Sequence, residues 1–136
     1  LIPAVCFGIS GIFQKTSARA GIGTGPYLMI VGAVVLTMGL LLTLIQQDPT
    51  VNRESAKHTA AYGVLWAIGI ASISFALSKY QAQISQLVPL YNMNTLVAVL
   101  LGLVVLGEWR DVQLGRLLAA SVLTILGGIL AATSSR

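Results

Sequence analysis

Four apolar runs of membrane-spanning length decide what this chain can fold into: residues 26–46, 59–78, 84–106 and 112–133. A hydrocarbon core of about 30 Å needs roughly 20 residues of helix. A fifth run, residues 1–13, reaches that length only by continuing through Gln14 and Lys15, with the lysine snorkelling to the interface. The runs are continuous rather than alternating, which argues against a transmembrane barrel. Only 9% of the 136 residues are charged, against about 25% in soluble domains. So few charges cannot cover a water-facing surface. The expectation is an all-α membrane protein, a bundle of five transmembrane helices at about residues 1–18, 26–46, 59–79, 84–107 and 112–133. They form a single domain over residues 1–136.

The connections are short. The longest and most polar, residues 47–58, opens on an Asp48-Pro49 turn signal and carries Arg53, Glu54, Lys57 and His58. No connection is long enough to be a soluble domain, so function must lie in the membrane or at its faces. The chain starts at Leu1 without a basic leader, so a cleaved signal peptide is not expected there. With five spans, Arg53, Lys57, Arg110 and a snorkelling Arg116 fall on one side, and Lys15, Arg19, Lys79 and Arg136 on the other. With the basic residues so balanced, the positive-inside rule favours neither orientation. The balance is compatible with insertion in both orientations and with an antiparallel dimer.

The fourth run carries the residues most at odds with lipid. Asn92 and Asn94 lie a third to halfway along it, where polar side chains are costly unless they face a partner or a cavity. On a continuous helix Tyr91, Asn94 and Thr95 share one polar face, by their spacings of three and four. Two uses are open for that face: hydrogen bonding between helices, or lining of a cavity, with Asn92 lining it or locking helices. Pro89 removes a backbone donor, and it either sits harmlessly in the first turn or bends the helix and widens a central pocket. Ser74 and Ser78 share a face of the third helix, either bonding back to helix carbonyls or facing the asparagines across a cavity. Glu108 closes the fourth run beside Trp109 and reads as a structural charge at the membrane surface, pairing with Arg110 or Arg116. Asp111 is the expected N-cap of the last helix. Cys6, the one cysteine, reads as a small apolar filler of the first helix.

Other chemistries are not indicated. The chain has one histidine, no Ser/His/Asp set, no metal-protease motif and no phosphate-binding loop, so an enzyme is not expected. A single cysteine excludes an intrachain disulfide and a cysteine metal cluster. Neither a metal nor a cofactor is expected. The net charge of +4 comes from basic residues placed singly at helix ends, a membrane-insertion pattern and not a nucleic-acid patch. Small residues recur every four positions at Ala120, Thr124 and Gly128, spacing that lets helices approach closely in lipid.

Taken in order, Phe7-Gly8 through Gln14-Lys15, Ala76-Leu77-Ser78-Lys79, Val88-Pro89-Leu90, Leu106-Gly107-Glu108, Gly115 and Gly127-Gly128-Ile129-Leu130 resemble one EamA repeat of the drug/metabolite transporter superfamily. Phe7 stands where that family more often has Trp. The resemblance implies a five-helix repeat and a small-molecule transporter working as a dimer of repeats. Either a second copy, inverted, or a second repeat of a ten-helix protein would complete it, with the substrate site near the membrane midplane. The path residues expected on this basis are Ser74, Ser78, Tyr91, Asn92, Asn94 and Thr95. They are neutral, which hints at neutral or zwitterionic solutes. Expected partners are membrane lipids, a small-molecule substrate and a homodimer mate. The expected location is a bacterial inner membrane, crossed several times. The alternative is a non-transporting accessory or structural subunit of a larger membrane complex, since fold does not dictate function.

Overall fold

Helices follow the apolar runs, and several hydroxyls within them are satisfied locally. In the computed structural model, which describes residues 1–47, 49–110 and 112–134, the helices are α1 (Ile2–Arg19), α2 (Thr24–Gln46), α3 (Arg53–Lys79), α4 (Ile84–Tyr91), α5 (Asn94–Val105) and α6 (Leu114–Ala132). A 3-10 turn, Glu108–Arg110, follows α5. No strand occurs among the described residues. Thr16, Thr37, Thr43, Ser121 and Thr124 donate to the carbonyl four residues back at 2.8–2.9 Å. Each hydroxyl is thus made compatible with lipid inside its own helix.

Among the described residues four helices are long and apolar enough to cross a membrane: Thr24–Gln46, Arg53–Lys79, Ile84–Val105 (α4 and α5 together) and Leu114–Ala132. The chain is therefore an all-α protein of multi-pass membrane type. Helix α1 has 18 residues but is not one of the four. Its second half carries Gln14, Lys15, Thr16, Ser17 and Arg19.

Several boundaries differ from those read in the sequence, and three differences have a local account. Helix α3 starts at Arg53, six residues before the apolar run, because Asn52 caps it. The Asn52 side chain accepts from the Ser55 amide at 2.7 Å, and the Asn52 amide donates to Ser55 Oγ at 3.3 Å. This reciprocal box satisfies two orphan donors, so the helix reaches out of the hydrocarbon. The fourth span is broken at Asn92 and Met93. The last helix begins at Leu114 with Gln113 as its flanking residue, so the N-cap expected at Asp111 is not at the helix start. Asp111 itself, like Asp48 and Arg136, lies outside the described residues.

The chain divides into two compact units, Leu1–Gln81 and Ala82–Arg136. In the first, α3 packs on α1 and α2. The covered residues of α1 are Gly11, Gln14, Lys15, Ser17 and Ala18, spaced by threes and fours along one stripe. On α3 they run from Trp66 to Ser78, with Leu77 fully buried and Ser74 2% exposed. On α2 only Thr24, Tyr27, Leu28 and Val31 are half-buried. All of these sit toward one end of the unit. Residues 1–10, 32–47 and 53–65 are exposed throughout, Cys6 among them, so that cysteine is not a buried filler. Beside the packed end the Lys79 ammonium lies 5.2 Å from the centre of the Phe75 ring, and Phe75 meets Tyr80 edge-on at 5.9 Å. Such an aromatic and basic group suits a helix end at the membrane–water boundary.

In the second unit α6 packs on α4. The covered stripe of α6 is Leu117, Ser121, Thr124, Ile125, Gly128 and Ala131, while Ala120 is exposed. Lipid supplies no hydrophobic drive for this contact, so it rests on close approach and dispersion.

Candidate functional site

The break in the fourth span starts with Pro89. It is the sixth residue of α4 and has no N–H to give the Ser85 carbonyl. The effect propagates along the backbone. The Asn92 amide donates to Val88 O at 3.0 Å, but the Met93 amide donates to Leu90 O at 3.3 Å rather than to Pro89 O. Thr95 and Leu96 then bond three residues back, to Asn92 O and Met93 O. The Pro89 carbonyl thereby loses its helical donor. It faces α6, where a β-carbon on Gly128 would stand 3.5 Å from it.

Tyr91 ends α4 and is half-buried. Asn92 lies in the turn, Asn94 opens α5, Thr95 follows, and all three are exposed. The Thr95 hydroxyl donates to Asn92 O at 2.9 Å. In a span running from Ile84 to Val105, these residues occupy the middle. The i, i+4 stripe expected for Tyr91, Asn94 and Thr95 presupposes a continuous helix. At Asn92 and Met93 the backbone stays right-handed, with φ of −64° and −61°, and tightens to three-residue hydrogen bonds, so the stripe crosses a 3-10 turn.

The end of α5 is fixed by Gly107, whose φ of +69° lies in the left-handed region. The reversal there turns Glu108 back toward α5, and a β-carbon on Gly102 would stand 2.9 Å from Glu108 Oε2. Glu108 is exposed, and its carboxylate lies over the buried Gly102. The Gly102 contact gives Glu108 a position that pairing with a basic residue alone does not explain. An apolar groove of about 250 Å³ runs between α5 and α6, lined by Leu96, Val99, Leu103, Leu117, Ser121 and Ile125 among others. A smaller hollow of about 220 Å³ lies at the start of α4, with Gln83, Gln86, Leu87 and Ala132 on its walls.

Ser74 and Ser78 belong to the other unit. Of the α3 serines, Ser72 bonds back to Ile68 O at 2.9 Å. Ser78 Oγ is buried and makes no hydrogen bond, and Gln14 Nε2 on α1 is also buried. The Tyr27 phenol on α2 neighbours the Gln14 side chain. Lys15, the residue after Gln14, is only 9% exposed. Sequence reasoning did not pair Gln14 with Tyr27. The available signal was Gln14 at the end of an apolar run, next to a lysine. Among the described residues no group of His, Cys, Asp and Glu is placed to hold a metal.

Comparison with protein-family models, with curated proteins and with solved structures gives no match.

Proposed function

We propose that the chain is one repeat of a small-molecule transporter of the EamA type, working in the membrane as a dimer of repeats. The observation that carries this reading is the broken fourth span, with Asn92, Asn94 and Thr95 exposed at its middle. Bare side-chain amides at that depth are stable only against protein or a water-filled path. Discontinuous helices at the midplane are also the element from which transporters build solute sites. The path in this reading includes Tyr91, Asn92, Asn94 and Thr95 with Ser74 and Ser78. Pro89 is the source of the bend, and Glu108 is a structural group. The repeat has five membrane helices, α1 included, and sits in the inner membrane of a bacterium. Its mate is a second copy, inverted, or a second repeat.

Asn94→Ala separates this reading from that of an accessory subunit. Uptake of a panel of neutral and zwitterionic solutes into vesicles should fall while membrane abundance stays unchanged. Unchanged uptake would remove Asn94 from the path. A chain that moves no solute and purifies only with another protein over this patch would be an accessory subunit.

A further inference from the structure

The helices of the first unit end in left-handed turns of unlike build. After α1, Gly21 has φ of +86°, which costs a glycine nothing. Two backbone bonds lock it: its amide donates to Ala18 O at 3.1 Å, and the Ile22 amide donates to Ser17 O at 3.4 Å. After α2, Gln47 has φ of +52°, and its amide donates to Thr43 O at 3.0 Å. After α3, Gln81 has φ of +53°, yet its amide makes no backbone hydrogen bond among the described residues. The backbone bond that locks such a turn would run to Ser78 O. Here the side chain takes its place, with Gln81 Nε2 donating to Ser78 O at 2.8 Å. Gln81 is also the last residue of the first unit, and Ala82 is the first of the second.

Two opposing effects at Gln81 come close to cancelling. A β-carbon in the left-handed region lowers the population of that state roughly five- to thirtyfold. One hydrogen bond returns roughly two- to twelvefold. Lys79, Tyr80 and Gln81 are all exposed, so water can take over the Ser78 carbonyl when the side chain lets go.

We infer that Gln81 is a latched hinge between the two units. With Nε2 on Ser78 O, the backbone stays near φ +53°; with Nε2 in water, it passes to negative φ. The chain crosses from one unit to the other directly after this residue, so its dihedrals turn the second unit as a body against the first. The two states differ in population by no more than the order of tenfold. A ligand or partner that prefers one state by a similar factor therefore switches the chain. The hinge does not depend on the transport reading.

The test uses the full chain, one copy per phosphatidylcholine nanodisc, with Cys6→Ser so that spin labels go only where they are placed. Labels at Val64→Cys on α3 and Leu123→Cys on α6, both exposed positions, report between the units. Labels at Val35→Cys and Val64→Cys report within the first unit. Pulsed electron resonance should resolve two between-unit distances. Gln81→Ala keeps the β-carbon but loses the latch, and should move the ratio of the two populations roughly two- to twelvefold. Gln81→Gly also removes the strain, and should move the ratio back from that of Gln81→Ala by roughly five- to thirtyfold. Gln47→Ala, whose turn keeps its own backbone bond, should match the parent. The within-unit distance should stay fixed in every variant. Between-unit distances that neither Gln81 variant alters overturn the proposal. A change in Gln81→Ala that the within-unit pair shares also overturns it, since the side chain would then hold α3 itself and not the junction.

Discussion

Gly128 of α6 lies directly against Met93 in the break of the fourth span. A β-carbon at Gly128 would stand 3.1 Å from Met93 Sδ and 3.2 Å from its Cγ. The thioether can move, but the Pro89 carbonyl, 3.5 Å from the same β-carbon, is backbone and cannot.

Gly128→Ala should therefore be nearly neutral in thermal unfolding in detergent, since Met93 gives way. Gly128→Leu must displace backbone, and should lower stability by about 1–3 kcal/mol, the usual cost of overpacking. Met93→Ala combined with Gly128→Ala should be no worse than Met93→Ala alone. A strongly destabilised double variant would show that α6 does not seat on the break through this pair.

Gly107 holds a left-handed turn. Gly107→Ala should cost about 1 kcal/mol or more, because a β-carbon strains φ near +69°. Gly107→Asn should recover part of that loss, since asparagine tolerates this region better. Equal stability of all three proteins would mean that the α5 terminus does not depend on the turn.

Replacing Pro89 by alanine returns an N–H to the Ser85 carbonyl. Stability should hold or rise, by no more than the ~3 kcal/mol that a proline inside a helix costs. Amide exchange of Met93 and Thr95 should slow as the span becomes continuous. On the transport reading, uptake falls at the same time. Unaltered exchange would place the cause of the break outside Pro89.

Asn52→Ala removes the cap that carries α3 beyond the apolar run. A loss of about 1 kcal/mol is expected, with faster exchange at Ser55 and Ala56, whose amides bond to Asn52. Asn52→Asp should keep both. Protection that survives in Asn52→Ala would mean the first turn is held by other contacts.

The helices were legible wherever lipid imposes its rule. Runs such as 26–46 and 112–133 must satisfy their backbones internally, and α2 and α6 follow them closely. The start of α3 was not legible from apolarity, because a cap in water sets it: Asn52 and Ser55 lie outside the hydrophobic pattern. The break at Asn92 and Met93 was half legible. Pro89 announced a lost donor, but the tightening comes three residues later, where backbone bonding shifts to three-residue steps. Periodicity alone does not locate that shift. The polar residues of the fourth span were visible as anomalies against lipid. The Gln14–Tyr27 contact was not, since it depends on which faces of α1 and α2 are covered.

The uneven packing of the first unit has a mechanical consequence. Covered residues of α1, α2 and α3 gather at one end, and residues 1–10, 32–47 and 53–65 touch little of their own unit. Few dispersion contacts must break for those free arms to swing. The unit is thus stiff at the end holding Leu77 and compliant at the other, like a clamp gripped at its pivot.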